Sequence, residues 1–142
     1  MKRIFTNTFM VILIAATITT SCKEEPRENP LEGAKKLLLA SDWILSSATL
    51  DETDYTDLYD GLNLKFNSDG TYDVTNAMEP VWNPSGTYEM ISVTALELDG
   101  VRSVVVEELT SDALTLKFHF DGSGGRTSSS VDGEYVFEFT AQ

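Results

Sequence analysis

Apolar and polar residues alternate along most of the chain after residue 43. The runs LTLKFHF (114–120) and YVFEF (135–139) show this most clearly, since every second residue is leucine or an aromatic residue and those between are mostly polar. Side chains of a β-strand point alternately to its two faces, so this pattern predicts strands with one buried and one exposed face. The chain is therefore expected to form a sheet whose apolar face must be covered.

The alternation divides the chain into eight predicted strands, preceded by a short helix over 34–40 (AKKLLLA). The strands cover residues 43–50, 61–68, 70–78, 85–92, 94–99, 102–109, 112–121 and 133–141. Asp-Gly pairs at 69–70 and 99–100 are typical of hairpin turns. Only Val104-Val105-Val106 leaves the buried face undecided. No segment between strands is long enough for a helical crossover, so the strands are expected to pair antiparallel.

Eight antiparallel strands can close into an up-and-down barrel, which removes the unpaired edges of the sheet. We therefore predict an all-β fold, an eight-stranded antiparallel barrel with a short N-terminal helix. A two-sheet β-sandwich fits the same strand count and is the alternative. The interior of so small a barrel is either filled by side chains or holds one small ligand.

The first 21 residues have the layout of an export signal. Lys2 and Arg3 precede the apolar run FMVILIAA (9–16), and small or polar residues lead to Cys22, the only cysteine of the chain. The apolar run is shorter than the roughly 20 residues that cross a bilayer. Residues 22–33 are charged and proline-containing, as in a flexible tether. Residues 34–142 are the size of one small domain.

The segment TTSCKEEP, with small residues before Cys22, resembles the signal of bacterial lipoproteins. CKEE resembles the lysine-plus-acidic tag that exports Bacteroidota lipoproteins to the cell surface. The resemblance implies acylation of Cys22 and residence in the outer membrane, lipid-anchored and facing the extracellular side. An ordinary secretory signal with a free thiol is the alternative. A catalytic thiol is not expected, because it needs a base and a groove around it.

Turn glycines and core aromatics carry a second resemblance. Trp43, LKFNSDGTY (64–72), SGTYE (85–89) after Trp82, and GGR…DGEYVFEF (124–139) are similar to the lipocalin-like domains of Bacteroidota lipoproteins. This resemblance implies a closed barrel that binds a small lipophilic or sugar-like ligand in its mouth or loops. It also implies a structural contact in which Arg126 lies over Trp43, as a basic residue does in lipocalins.

The chain is strongly acidic, with 23 Asp and Glu against 10 Lys and Arg and a formal net charge of −13. Removal of residues 1–21 would take Lys2 and Arg3 and leave a still more acidic remainder. Phosphate binding needs a basic patch, so a nucleic-acid partner is not expected. Anionic lipid would repel this surface, so membrane residence must come from acyl chains at Cys22. We expect a monomer.

Two residue sets in the longer loops are candidates for binding. Tyr55, Tyr59 and Trp82 could stack on a sugar ring or gate a cavity, or they could simply cap the barrel end. The segment DETDYTDLYDG (51–61) carries acidic residues that could hold Ca²⁺, although its spacing differs from a calcium loop. A charged, hydrated loop is the simpler interpretation.

The chain lacks a recognisable catalytic set. His119 is the only histidine, and strand alternation turns it outward as a solvated imidazole. There is no phosphate-binding loop, dinucleotide fingerprint or zinc spacing, so neither an enzyme nor a cofactor is expected. The sequence favours a non-catalytic protein that binds a small ligand. The alternative is a surface module with a filled core that binds a protein or glycan partner through its loops.

Overall fold

The structure is a computed structural model that describes residues 29–122 and 131–142. The predicted leader, Cys22 and Arg126 lie outside these residues. The described elements are, in chain order, α1 (Pro30–Leu39), β1 (Trp43–Leu50), β2 (Thr53–Asp54), a 3-10 helix (Thr56–Tyr59), β3 (Asn63–Phe66), β4 (Thr71–Thr75), β5 (Ser85–Ser92), β6 (Ala95–Leu98), β7 (Arg102–Leu109), β8 (Ala113–Phe120) and β9 (Gly133–Ala141).

Helix α1 begins at a strong N-terminal signal. The Asn29 side chain accepts a hydrogen bond from the main-chain N–H of Leu31 at 3.1 Å, and Pro30 occupies the first turn, where no N–H is required. The helix starts four residues before the expected Ala34 and so includes the end of the predicted tether. Among the described residues, no helix combines the length and the apolar character needed to cross a membrane.

Pairing of the first and last strands closes the sheet into a barrel. Strands β1 and β9 are antiparallel from the pair Trp43 and Ala141 to the pair Leu50 and Tyr135. The other neighbours follow chain order from β3 to β9, and β1 also pairs with β3. This arrangement confirms the predicted eight-stranded antiparallel barrel and excludes the sandwich. The two-residue strand β2 pairs only with the end of β1 and lies outside the ring.

The up-and-down order gives the barrel two distinct ends. The helix end carries α1 and the turns 67–70, 93–94 and 110–112; α1 crosses it and contacts β3, β5 and β7. The loop end carries residues 51–62, 76–84, 99–101, 121–122 and 131–132. The longer loops of the described part of the chain therefore meet at one end.

The alternate residues that the sequence marks as apolar point into the barrel. Leu64, Leu116 and Phe137 are fully buried, whereas Lys65 is exposed. The undecided valine run also resolves, because Val104 and Val106 face inward and Val105 is 51% exposed. The predicted alternation is thus confirmed, with the exception that Thr115 on the outward side of β8 is also buried, at 9% exposure.

Trp43 joins the helix to the barrel. Its ring is fully buried, and its Nε1–H donates to the main-chain oxygen of Leu38 at 3.0 Å. That carbonyl lies in the last turn of α1, where carbonyls have no partner within the helix. The bond satisfies a buried donor and a helix-end acceptor together, which explains a tryptophan at the start of β1.

Candidate functional site at the loop end of the barrel

Trp82 fills the barrel interior from the loop end. Although it belongs to the loop between β4 and β5, its side chain is fully buried. Its ring meets Tyr72, Phe118 and Phe137 edge to face, with centroid distances of 6.4, 5.7 and 5.4 Å. Such contacts stabilise aromatic pairs beyond the area they bury. The space that a ligand would use in a hollow barrel is therefore occupied by the protein's own indole.

The indole nitrogen of Trp82 is buried without a hydrogen-bond partner among the described residues. An unpaired buried donor costs about 1–3 kcal/mol relative to a satisfied one. The indole of Trp43, by contrast, is paired with a main-chain carbonyl. We call the Trp82 side chain the plug. It is held by its shape and its ring contacts, and its one polar atom, the indole nitrogen, opposes burial.

Arg102 fastens the loop that carries Trp82. Its guanidinium donates to the main-chain oxygen of Val81 and lies over the rings of Phe118 and Phe120, at 5.1 and 5.2 Å from their centroids. Burial lowers the pKa of this guanidinium. Cation–π contacts strengthen when desolvated, so the half-buried position favours them. The Arg102 side chain therefore connects β7, β8 and the loop between β4 and β5 that carries Trp82.

A carboxylate organises the polar groups beside the plug. Asp99 accepts hydrogen bonds from the Tyr72 hydroxyl at 2.9 Å, from the Asn83 side-chain amide at 3.4 Å and from the Thr87 main-chain N–H at 3.0 Å. Residue 86 must be glycine, because a Cβ there would lie 2.0 Å from the Asp99 carboxylate. These contacts tie the β4–β5 loop to the β6–β7 turn.

The three aromatic residues expected near the mouth are placed differently from one another. Tyr59 is buried, with its ring edge to face against Phe137 at 5.0 Å. Trp82 is buried in the interior, and Tyr55 is 40% exposed beside a shallow depression lined by residues 54–58. Tyr59 and Trp82 thus close the barrel end, and Tyr55 alone has an accessible ring for stacking.

The acidic loop uses part of its charge to fix its own main chain. Asp51 accepts from the N–H of Glu134 at 2.9 Å, and Asp54 accepts from the N–H and the hydroxyl of Thr56 at 2.9 and 2.6 Å. These bonds to Thr56 lower the pKa of Asp54. Within residues 29–122 and 131–142, no three acidic, histidine or cysteine side chains are grouped as a metal site requires.

His119 lies on the outer face, as expected. Its side chain is 61% exposed, and its Nε2 lies 3.0 Å from a carboxylate oxygen of Asp121. This short-range pair is separated from the barrel interior by the strand itself. Its surroundings are those of a solvated surface imidazole.

Sequence reasoning did not identify Arg102 or the depth of Trp82, although both carry a signal. Arg102 precedes Val104 and Val106 by even steps, so the alternation places it on the inward face. Val81 and Trp82 form an apolar pair within the otherwise polar or proline-containing segment EPVWNPSG (79–86). An inward arginine near a strand end and an apolar pair in a loop together indicate a closed end.

No family model matches the chain, and the search of curated proteins finds no similar sequence. The molecule itself is a barrel of lipocalin-like topology with its loop end closed by Trp82, Tyr59 and Arg102.

The two tryptophans provide a matched test of the unpaired indole. Trp43→Phe removes a satisfied hydrogen bond, whereas Trp82→Phe removes a donor that has no partner in the described part of the chain and leaves most of the ring contacts. We expect Trp82→Phe to cost about 1–3 kcal/mol less unfolding free energy than Trp43→Phe. Urea unfolding followed by circular dichroism measures both. Equal costs, or a larger cost for Trp82→Phe, would show that the Trp82 nitrogen is satisfied in solution.

The buried phenols predict a loss of stability at high pH. Burial, followed by the hydrogen bond to Asp99, raises the pKa of Tyr72, and burial also raises the pKa of Tyr59. Above about pH 10 the unfolded chain releases these protons and the folded chain retains them, so stability falls by about 1.4 kcal/mol per pH unit for each such tyrosine. Below that pH their contribution is constant.

Tyr72→Phe removes one of these titrating phenols, so the unfolding free energy should fall less steeply with pH, by about 1.4 kcal/mol per pH unit. Urea unfolding between pH 8 and pH 11 measures the slope, with the plateau below about pH 9 as the internal reference. An unchanged slope would mean that Tyr72 ionises as easily in the folded chain as in the unfolded one.

Proposed function

We propose that this chain is a non-catalytic, lipid-anchored lipoprotein of the outer membrane, facing the extracellular side. In this proposal the barrel is a rigid scaffold, and it binds a protein or glycan partner with its outer surface and loops. It acts as a monomer, and no nucleic acid takes part.

The filled interior carries this proposal. Trp82, Tyr59 and Phe137 form a connected set of ring contacts across the barrel, and all three are buried. In this proposal these side chains take up the interior space that a ligand would need. A barrel filled in this way presents only its exterior to other molecules.

Charge and sequence support the anchoring part of the proposal. With a formal charge of −13, the chain has no electrostatic route to an anionic bilayer. The segment ending at Cys22 has the layout of a lipoprotein signal, and two or more acyl chains hold a protein firmly on a membrane. Helix α1 begins at Pro30, so only a short segment separates Cys22 from the folded domain.

A small lipophilic ligand is the second candidate, and one observation favours it. The buried Trp82 nitrogen has no partner among the described residues, so moving the indole into water would restore a hydrogen bond. A flat apolar molecule could then take its place among Tyr72, Phe118 and Phe137. The two candidates differ in whether the isolated protein carries a guest.

Native mass spectrometry on protein purified from its own cells separates the two candidates. We expect the mass of the processed chain alone. The matched variant Trp82→Ala opens a space the size of an indole, and apolar cavities of that kind take up small aromatic molecules. We therefore expect added indole to bind the variant and not the wild type. A small molecule that copurifies with wild-type protein would overturn the scaffold proposal.

Cys22→Ala tests the anchor. Without the thiol there is no acylation, so the variant should leave the membrane fraction for the soluble one. Ser21→Ala keeps the cysteine and a small preceding residue, and it should fractionate as wild type.

Replacing Glu24 and Glu25 with alanine should leave the protein membrane-bound but protected when intact cells are treated with protease. If Cys22→Ala fractionates like wild type, the anchor is not at this residue.

A further inference from the structure

The outer face of the strands β5, β6 and β7 combines exposed apolar side chains with carboxylates. Ile91, Val93 and Val105 are 55%, 43% and 51% exposed. Single exposed apolar residues are ordinary on a protein surface, but a contiguous group indicates contact with something else. We call this surface the β5–β7 face and define it by Glu89, Ile91, Val93, Ala95, Glu97 and Val105.

Strand register brings the apolar members into one row. Ala95 on β6 lies directly opposite Val105 on β7 and opposite Ser92 on β5. The pairing is irregular between Met90 and Ser92, so Ile91 lies beside Ser92 rather than opposite a residue of its own. The row therefore runs across three strands, a width of about 10 Å at the usual strand spacing.

Two carboxylates lie directly opposite each other beside this row. Glu89 and Glu97 are paired across β5 and β6, and like charges in that relation destabilise a sheet. Among the described ion pairs, none includes either residue. Lys117, which borders the row opposite Val105, is itself held by Glu134 at 2.8 Å. The arrangement works against stability, which suggests that the charge serves binding.

The charge also decides what can cover the face. A second copy docked on its own β5–β7 face would bring only the bordering Lys117 and Lys35, which are already paired with Glu134 and Glu32. Anionic lipid and nucleic acid would be repelled. A partner that buries the apolar row and neutralises Glu89 and Glu97 needs apolar side chains with basic ones beside them.

We propose that the β5–β7 face is a docking surface for a protein segment that presents an apolar stripe flanked by lysine or arginine. This inference rests on the proposed function as a surface interaction module and names the surface and the chemistry of the partner. Apolar burial supplies the affinity, and the two carboxylates select a basic partner and fix its position.

A designed peptide serves as the probe. It is an amphipathic helix of about five turns with a leucine stripe flanked by lysines. A matched control peptide carries the same lysines but has glutamine in place of every leucine. Both are titrated into the purified full-length chain, and hydrogen–deuterium exchange maps the contact. We expect the leucine peptide to protect β5–β7 and the glutamine peptide to bind much more weakly.

Matched variants separate the face from general acidity. Val105→Ser and Glu97→Gln should each weaken leucine-peptide binding roughly five- to ten-fold. Val101→Ser alters an 85% exposed valine at the loop end, and Asp57→Asn alters an exposed acid there; both should leave the affinity unchanged. Equal effects of Val105→Ser and Val101→Ser, or protection spread over residues 51–60, would overturn the proposal.

Two further measurements test whether a second copy of the chain or a lipid surface covers the β5–β7 face instead. Self-association in sedimentation that Val105→Ser abolishes would assign the face to a second copy and overturn the proposal. Binding to phosphatidylglycerol vesicles that Val105→Ser abolishes would assign it to lipid, with the same consequence. These failures are separate from failure of the proposed function, because a copurifying small molecule would refute the scaffold role while leaving the peptide map intact.

Discussion

Main-chain pairing between β1 and β9 is the constraint on which the rest of this structure depends. It joins residues almost a hundred positions apart and leaves the ring of strands without a free edge. Closure gives each strand one face toward a common interior and one toward the outside. The antiparallel up-and-down order places the connections at opposite ends, so that α1 covers one end and the longer described loops lie at the other. The division of the molecule into a helix end, a loop end and an outer wall follows from this strand order together with closure.

The loop end shows what a small closed barrel does with its interior. Eight strands enclose room for side chains or for one small guest, and here Trp82 enters from a loop to complete a packed aromatic set. Arg102 holds the adjoining main chain at Val81, while Asp99 links that loop to the next turn. Dense packing favours this position of Trp82, whereas its indole nitrogen, which has no partner among the described residues, opposes it. The balance between these two terms decides whether the barrel is a solid scaffold or a container that can open.

Strand alternation predicted the barrel well because a period of two is a local property that a one-sided sheet imposes on every strand. It gave the inward set from Leu64 to Phe139 and the strand limits to within a few residues. It did not give the depth of Trp82, because the position of a loop side chain depends on the space that distant strands leave unfilled. The sequence predicts a hydrated loop where the structure has the short strand β2 and the 3-10 helix, since their order comes from contacts such as Asp54 with Thr56 rather than from periodicity. Acylation of Cys22 and the role of Arg126 remain predictions from the sequence.

The valine run that alternation left undecided is informative for function. Val104 and Val106 satisfy the core, so folding alone does not require a third apolar residue at position 105. Glu97 likewise lies on the outer face, where a lysine opposite Glu89 would stabilise the sheet and a glutamate does not. Val105 leaves an apolar side chain in water, and Glu97 opposite Glu89 works against the sheet; the two residues lie on adjoining strands of the same wall. When the interior of a barrel is full, such exterior features are the observations that carry information about its partners.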